Sequence, residues 1–242
     1  EDFGTEAKSK GVVVGHEVRK LSRQFAELTC SVLAANGIRT FLFDGIRATP
    51  EISFTVRHLE AIAGVQLTAS HNPRTDNGFK FFWSDGGQVV PPLDEKFMNL
   101  VLGVKEIKTM DFVKAKKEGF IKMISSEIDE AYFKELRALS LVENRSAKIV
   151  FSPIHSCGTT NTLAVLQQEG FDVTVVDEQM EPDENFPTAF GDYINPEFEQ
   201  VMKLPIELGE KIGADVAICT DPDGCRIGIA VKRRLDEKKL YY

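Results

Sequence analysis

Val65-Gln66-Leu67-Thr68 runs into Ala69-Ser70-His71-Asn72-Pro73, a short apolar strand signal that ends in a polar loop carrying a hydroxyl. Open α/β sheets bind their ligands beyond the carboxyl ends of their strands, so this stretch places Ser70 where such a fold does its chemistry. The segments around it alternate in the same way. Gly11-Val12-Val13-Val14-Gly15 reads as a short buried strand, and Ser22 as the N-cap of a helix on which Phe25, Leu28, Val32 and Leu33 recur at helical spacing until Gly37. Thr40 to Phe43 is a second strand, and Pro50 opens a helix to about Ala63. Gly78 to Trp83 follows the serine loop too closely for a crossover helix, so it is expected as an antiparallel strand.

Residues 84–128 are less regular and read as a connection between domains. A second α/β cycle follows: a helix over Ile128 to Leu141, a strand over Ala147 to Phe151, a helix over Thr160 to Glu169 closed by Gly170, and a strand over Val173 to Val176. Pro196 to Ile212 is helical, with Pro205 expected to kink or split it. Ala214 to Cys219 is a strand that ends at Thr220-Asp221-Pro222-Asp223-Gly224-Cys225-Arg226, and Ile227 to Val231 leaves that loop as another strand. The expected fold is therefore α/β: two consecutive three-layer α/β/α domains with mixed, mostly parallel sheets, spanning 1–126 and 127–242. Each half ends a strand in a reactive loop, and the two loops are expected to face each other across a cleft.

Composition narrows the function classes. With 43% hydrophobic and 27% charged residues, the 242-residue chain is a globular protein rather than a disordered one. No apolar run is long enough to span a bilayer, and the polar start shows no secretory signal. A net charge of −8 argues against nucleic acid as a partner, though not against a local positive cleft for a small phosphorylated ligand. Cys30, Cys157, Cys219 and Cys225 show neither CxxC nor disulfide-framework spacing, which points to a reducing, cytoplasmic setting and away from a zinc cluster.

A serine hydroxyl needs a neighbour to take its proton or to stabilise its product. His71 adjoins Ser70, and Lys80 ends a glycine-containing turn that can return it to the loop. A phosphorylated Ser70 would carry a charge of roughly −1.5 to −2 and would call for a cation and an arginine. Asp221 and Asp223 can offer carboxylates to Mg²⁺, and Arg226 can grip a phosphate or orient an aspartate. Each loop alone has an ordinary explanation: Ser-His pairs are common in polar turns, and Asp-Pro-Asp-Gly is a frequent β-turn. It is not an EF-hand loop, because the glycine offset is wrong and no glutamate closes it. His16 and His58 read as helix-edge or surface residues, His155 is ambiguous, and the lysines of 105–117 read as a solvated face.

Together the loops resemble those of the α-D-phosphohexomutases, the phosphoglucomutase and phosphomannomutase family. Thr68-Ala69-Ser70-His71-Asn72-Pro73 is similar to the family's phosphoserine loop, and Asn77-Gly78-Phe79-Lys80 to its extension. Asp221-Pro222-Asp223-Gly224-Cys225-Arg226 looks like its metal loop, Asp-x-Asp-x-Asp-Arg. Lesser matches are Gly15-His16-Glu17-Val18-Arg19, Thr49-Pro50-Glu51, Phe186-Pro187-Thr188 and Asn195-Pro196-Glu197, so the likeness covers nearly the whole chain. The resemblance implies an enzyme with Ser70 phosphorylated, which moves phosphate between C1 and C6 of a hexose phosphate through a bound bisphosphate. It implies Mg²⁺ held by Ser70, Asp221, Asp223 and the position of Cys225, with hexose 1,6-bisphosphate as activator. His71 and Lys80 would move protons, and Arg19 and Arg226 would stabilise phosphoryl charge.

Three departures qualify that expectation. Cys225 stands where the family has its third metal-loop aspartate, and a thiol is a soft ligand poorly matched to Mg²⁺. Weakened Mg²⁺ binding, a water in that place, or a zinc-preferring variant are the alternatives. Ser156 follows His155 where relatives have glycine. Finally, relatives continue into two further domains that carry sugar recognition and a distal phosphate clamp, and begin with a Gly-Thr-x-Gly-x-Arg-Gly segment of which Phe3-Gly4-Thr5 is only an echo. The rival readings are a non-catalytic or truncation-inactive phosphosugar-binding relative, a pentose-specific mutase, and a serine hydrolase. The last lacks a Gly-x-Ser-x-Gly elbow.

Overall fold

The computed structural model describes residues 5–233 and 236–242, so Phe3 and Gly4 lie outside the described residues. A short helix α1 (Glu6–Lys10) precedes β1 (Val12–His16), which is buried along its whole length, as an all-apolar start suits a strand covered on both faces. Next come α2 (Ser22–Ala35), β2 (Thr40–Phe43), α3 (Thr49–His58), β3 (Ala63–Leu67) and β4 (Phe79–Phe82). The chain continues through α4 (Leu93–Leu102), α5 (Phe112–Lys117) and β5 (Ile121–Ile124). The first sheet has the order β4-β3-β1-β2-β5, parallel except for the β3–β4 pair.

The second half runs α6 (Ser126–Ala138), β6 (Lys148–Ser152), α7 (Thr162–Gln168), β7 (Asp172–Val175), α8 (Glu199–Ile212), β8 (Val216–Thr220), β9 (Ile227–Arg233) and β10 (Asp236–Tyr241). Its sheet has the order β10-β9-β8-β6-β7, with β6 parallel to both neighbours and β8–β9–β10 antiparallel. The cores of β4-β3-β1-β2 and β9-β8-β6-β7 thus share one topology. In each, the first strand is central, the second pairs on one side and the third on the other. Strand order reverses between β1 and β3, and again between β6 and β8, and those reversals are where such sheets open a crevice at their carboxyl ends. The Ser70 loop leaves β3 and the Asp221 loop leaves β8, so both occupy the same position in their sheets.

Several expectations from sequence need correction. The 84–128 segment is not a simple connection, because β5 pairs in parallel with β2 over Thr40–Phe43 and completes the first sheet. The helix opened by Pro50 stops at His58, since Glu60 takes φ +50° and Ala63 already pairs with Val12. Ser22 is the first helical residue rather than the cap; Leu21 holds that place at φ +66°, and the Ser22 hydroxyl accepts a bond from Asn77 Nδ2 at 2.9 Å. Pro205 lies buried inside an unbroken α8.

On α2 the sheet is met by Ala26, Cys30 and Ala34, small residues one turn apart that let the helix approach closely, while Phe25 and Leu28 stay largely exposed. Those two side chains instead line an apolar cavity of about 840 Å³ with Val32, Phe79, Phe81 and Trp83. Phe43, Ile52 and Val56 pack the opposite face of the first sheet, under α3, with Ile128 of α6. In the second half, Val201 and Met202 of α8 pack on Val150, Ala217 and Ala230. Among the described residues, no helix is long and apolar enough to cross a membrane.

Candidate active site

Ser70 sits just past β3 with φ +53°, a left-handed conformation that costs a non-glycine residue on the order of 1 kcal/mol and recurs at functional sites. The turn is held by its own strand, since the Ser70 amide donates to Thr68 Oγ1 at 2.7 Å and Thr68 Oγ1 donates to Glu17 Oε1 at 3.1 Å. Beneath it lies Arg19, whose side chain and that of Glu17 are wholly buried with Nε 2.8 Å from Oε1. Arg19 Nη1 donates to the carbonyls of Pro73 and Asp76 at 2.6 and 2.8 Å, and Nη2 to those of Ser70 and Asn72 at 2.7 and 2.6 Å. The Phe186 ring of the second half lies 5.9 Å from its guanidinium carbon. Arg19 therefore holds the loop's backbone through four carbonyls, that of Ser70 among them. Burial pushes the Glu17 carboxyl up to about 7 against the pull of Arg19.

The hydroxyl itself points across to the second half. Ser70 Oγ donates to Asp221 Oδ2 at 2.7 Å, lies 3.2 Å from Cys225 Sγ, and accepts from Arg226 Nη1 at 3.0 Å. Arg226 Nη1 also donates to His71 Nδ1. A guanidinium has no acceptor, so this contact makes Nδ1 the acceptor and leaves the imidazole proton on Nε2. Burial and the Arg226 charge hold the His71 imidazole below its ordinary value, keeping it neutral. No hydrogen bond joins His71 to Ser70 among the described residues; the serine's acceptor is Asp221. His71 buttresses Arg226 in this arrangement.

Asp221 and Asp223 are fully buried where β8 ends, and Gly224 at φ +65° turns the chain so that Cys225 and Arg226 return to the same spot. Ligand atoms of Asp221, Asp223 and Cys225 lie within 4.8 Å of one another. Lys80 reaches in from β4, with Nζ 2.5 Å from Asp223 Oδ2 and 3.4 Å from Cys225 Sγ. The electrostatics differ sharply between the two carboxylates. Burial, with Asp223 beside it, pushes Asp221 up to about 6. Burial also opposes charge on Asp223, but Lys80 and the Thr49 hydroxyl outweigh it and hold that carboxylate below its ordinary range. Lys80 is the reciprocal case, its charge opposed by burial and held above the ordinary value by Asp223. Burial and both carboxylates push the Cys225 thiol up to about 11. Asp223 Oδ1 is buried with no hydrogen-bond partner.

The first half also grips the acidic loop through Thr49, whose amide donates to Asp223 O at 2.7 Å and whose hydroxyl donates to Asp223 Oδ2. Glu197 reaches Arg226 Nε at 3.4 Å. Thr49, Glu17 and Glu197 were visible in sequence only as lesser motif matches, with nothing local to state their partners. His155 stands apart from the site, its ring bridging Glu181 O and Thr188 Oγ1. His58 stacks on Phe54, and His16 is buried with Nδ1 3.1 Å from Glu17 O.

Deeper between the halves, Glu51 is fully buried, with Asn161 Nδ2 donating to its Oε2 at 3.3 Å and Arg47 Nε 3.9 Å from Oε1, which accepts no hydrogen bond. Burial, then Asp129, push its carboxyl from 4.5 to about 8. The folded protein thus holds this proton more tightly than the unfolded chain. The stability from the neutral acid is fully present below pH 4.5 and is lost as pH rises through 8. Glu51→Gln should remove that loss. Thermal midpoints of wild type and variant are expected to diverge between pH 4.5 and pH 8, with the variant the more stable at the upper end. Parallel curves would contradict a neutral Glu51.

The two halves each match a family model. Residues 2–108 match the phosphoglucomutase/phosphomannomutase alpha/beta/alpha domain I, and residues 130–234 match alpha/beta/alpha domain II. The chain belongs to the phosphoglucomutase/phosphomannomutase family. A phosphoglucomutase of Staphylococcus saprophyticus is 35% identical over 236 residues, covering 96% of this chain and 42% of the relative. One from Staphylococcus aureus is 32% identical over 231 residues, covering 94% and 42%. The chain therefore spans about two fifths of the length of the curated relatives it matches. A Thermus thermophilus structure classed as a phosphomannomutase superposes with a TM-score of 0.74 at 27% identity, over 91% of this chain and 48% of that one. A Burkholderia thailandensis phosphoglucomutase/phosphomannomutase family protein, at 19% identity and a TM-score of 0.75 over 99% of this chain and 50% of that one, shares the fold.

Proposed function

We propose that the complete protein is a phosphosugar mutase that moves phosphate between C1 and C6 of a hexose phosphate, through phosphorylated Ser70 and a bound bisphosphate. Residues 1–126 and 127–242 are its phosphoserine-loop and metal-loop domains. The observation that carries this reading is the hydrogen bond of Ser70 Oγ to Asp221 Oδ2, which joins the reactive ends of two sheets of like topology.

In the transfer, a sugar hydroxyl oxygen bonds to phosphorus as the bond from Ser70 Oγ breaks. The hydroxyl gives up its proton, and the serine oxygen keeps the electron pair and takes up a proton. Reversal with the other phosphate of the bisphosphate restores phosphoserine. Arg226 at 3.0 Å from Ser70 Oγ, and Lys80 beside Asp223, supply the positive charge that phosphoryl oxygens need. His71 keeps Arg226 aimed at the serine. Hexose 1,6-bisphosphate acts as activator because it can phosphorylate an empty Ser70. Four free cysteines support a reducing, cytoplasmic setting.

The donor set suits Mg²⁺ in part. Asp221, Asp223 and the serine oxygen are hard oxygen donors, and the partnerless Asp223 Oδ1 is an acceptor suited to a cation. Those residues fit; the neutral thiol of Cys225 does not. When bound, the ion would neutralise charge on the phosphoryl oxygens.

The test is phosphorus NMR of the complete protein with Mg²⁺, a hexose 1-phosphate and a trace of the 1,6-bisphosphate. Appearance of the hexose 6-phosphate is expected. Sugar phosphate binding with no turnover would instead favour the non-catalytic reading that Cys225 suggests, and turnover of pentose phosphates alone would move the substrate class.

A further inference from the structure

The second sheet is covered on one face and bare on part of the other. On the first face, Val201 and Met202 of α8 pack on Ala217 and Ala230. On the opposite face two rows of paired residues cross the sheet, Phe151–Ile218–Ile229 and Ile149–Val216–Val231. Their burial falls from strand to strand. Phe151 and Ile149 on β6 are buried, Ile218 and Val216 on β8 are half-buried, and Ile229 and Val231 on β9 are 46% and 47% exposed. Ile227 extends the β9 side of this strip at 55%. A strand that shows one face to water alternates apolar with polar residues, whereas β9 is apolar on both faces over Ile227 to Val231. Nothing among the described residues buries its second face.

We infer that the polypeptide following Tyr242 in the complete protein folds back over this strip, setting the apolar side of a helix on Ile218, Ile227, Ile229 and Val231. Relatives 35% and 32% identical match 96% and 94% of this chain over only 42% of their own length, so more than half of such a protein lies outside it. The matched units are the family's domains I and II, which puts the bulk of the remainder after them. Its path begins in the right place, because β10, the last strand, pairs with β9 and hands the chain on beside the bare strip. Neighbouring strands lie ~4.8 Å apart, so β8 and β9 together offer a bed about as wide as one helix, ~10 Å. Helices on both faces are the layering that buries such a strand. Docking there ties the rest of the protein to the strand that starts directly after Arg226.

The inference rests on the complete protein extending past Tyr242, as the mutase reading holds, and its test needs no turnover. Ile229→Cys and Val231→Cys are made separately in the complete protein and labelled with N-ethylmaleimide. Leu141→Cys, at a position 96% exposed, is the reference, and mass spectrometry reads the labelling site by site. The thiol of each β9 variant should react about tenfold more slowly than that of the reference, at every protein concentration. Photoreactive p-benzoylphenylalanine in place of Ile227 should cross-link to residues beyond Tyr242 of the same chain. Labelling as fast as the reference would show a bare face and overturn the inference. A cross-link between two chains, with protection lost on dilution, would overturn it in favour of a second copy, and a cross-link within residues 1–242 would overturn it as well. A bare face in a protein that carries phosphate on Ser70 refutes the docking alone and leaves the mutase reading standing.

Discussion

Ser70→Ala in the complete protein is expected to lower mutase turnover on the order of 10⁴-fold or more, because the proposed mechanism makes this residue the covalent carrier. The neighbours do not substitute. His71 Nδ1 is occupied by Arg226, and Asp221 is the acceptor of the serine's own proton. The change should leave the fold intact. Alanine tolerates the left-handed turn about as poorly as serine does, and the lost hydrogen bond leaves a buried Asp221 oxygen short of one donor, a cost of about 1–3 kcal/mol. Circular dichroism and denaturation therefore separate the chemical effect from a structural one. Residual turnover near wild type would mean that phosphate does not pass through this serine.

Arg19→Met is expected to destabilise the chain by about 3–5 kcal/mol, the range for breaking a buried ion pair from one side. Methionine fills much of the volume but abandons four carbonyl oxygens and the Glu17 carboxylate. Arg19→Lys should rescue little, since a point ammonium cannot reproduce a planar fork that spans Ser70, Asn72, Pro73 and Asp76. Urea denaturation of the 242-residue chain measures this, with a lowered midpoint at unchanged slope as the expected signature. A loss under about 1 kcal/mol, the size of an exposed pair, would show that the loop holds its shape without the arginine.

The contrast between these two residues explains what the sequence could reveal. Ser70, Lys80, Asp221, Asp223 and Arg226 announce themselves because hydroxyl and charged side chains stand there in dense local patterns at strand ends. The alternation of apolar runs with helical periods made the α/β class legible for the same reason. Arg19 was singled out only through the resemblance, and sequence shows its guanidinium but not the backbone carbonyls that it holds. Thr49 was invisible as a tie to Asp223, since its partner lies 174 residues away in a loop of the other half. Strand β5 was missed because Ile121-Lys122-Met123-Ile124 is short, mixes a lysine into the run and follows a lysine-rich helix; only pairing with β2 makes it a strand. On α2 the eye follows Phe25 and Leu28, yet close helix–sheet contact is made by Ala26, Cys30 and Ala34. Large apolar residues mark an amphipathic helix well, and its packing face less well.

The most direct test of the central claim is phosphosite mapping by mass spectrometry, on the complete protein before and after incubation with a divalent cation and glucose 1,6-bisphosphate. The account predicts phosphate on Ser70, gained or increased by the bisphosphate and absent from Ser70→Ala. A complete protein that binds the bisphosphate yet leaves Ser70 unmodified, or that carries the phosphate on another residue, would contradict it.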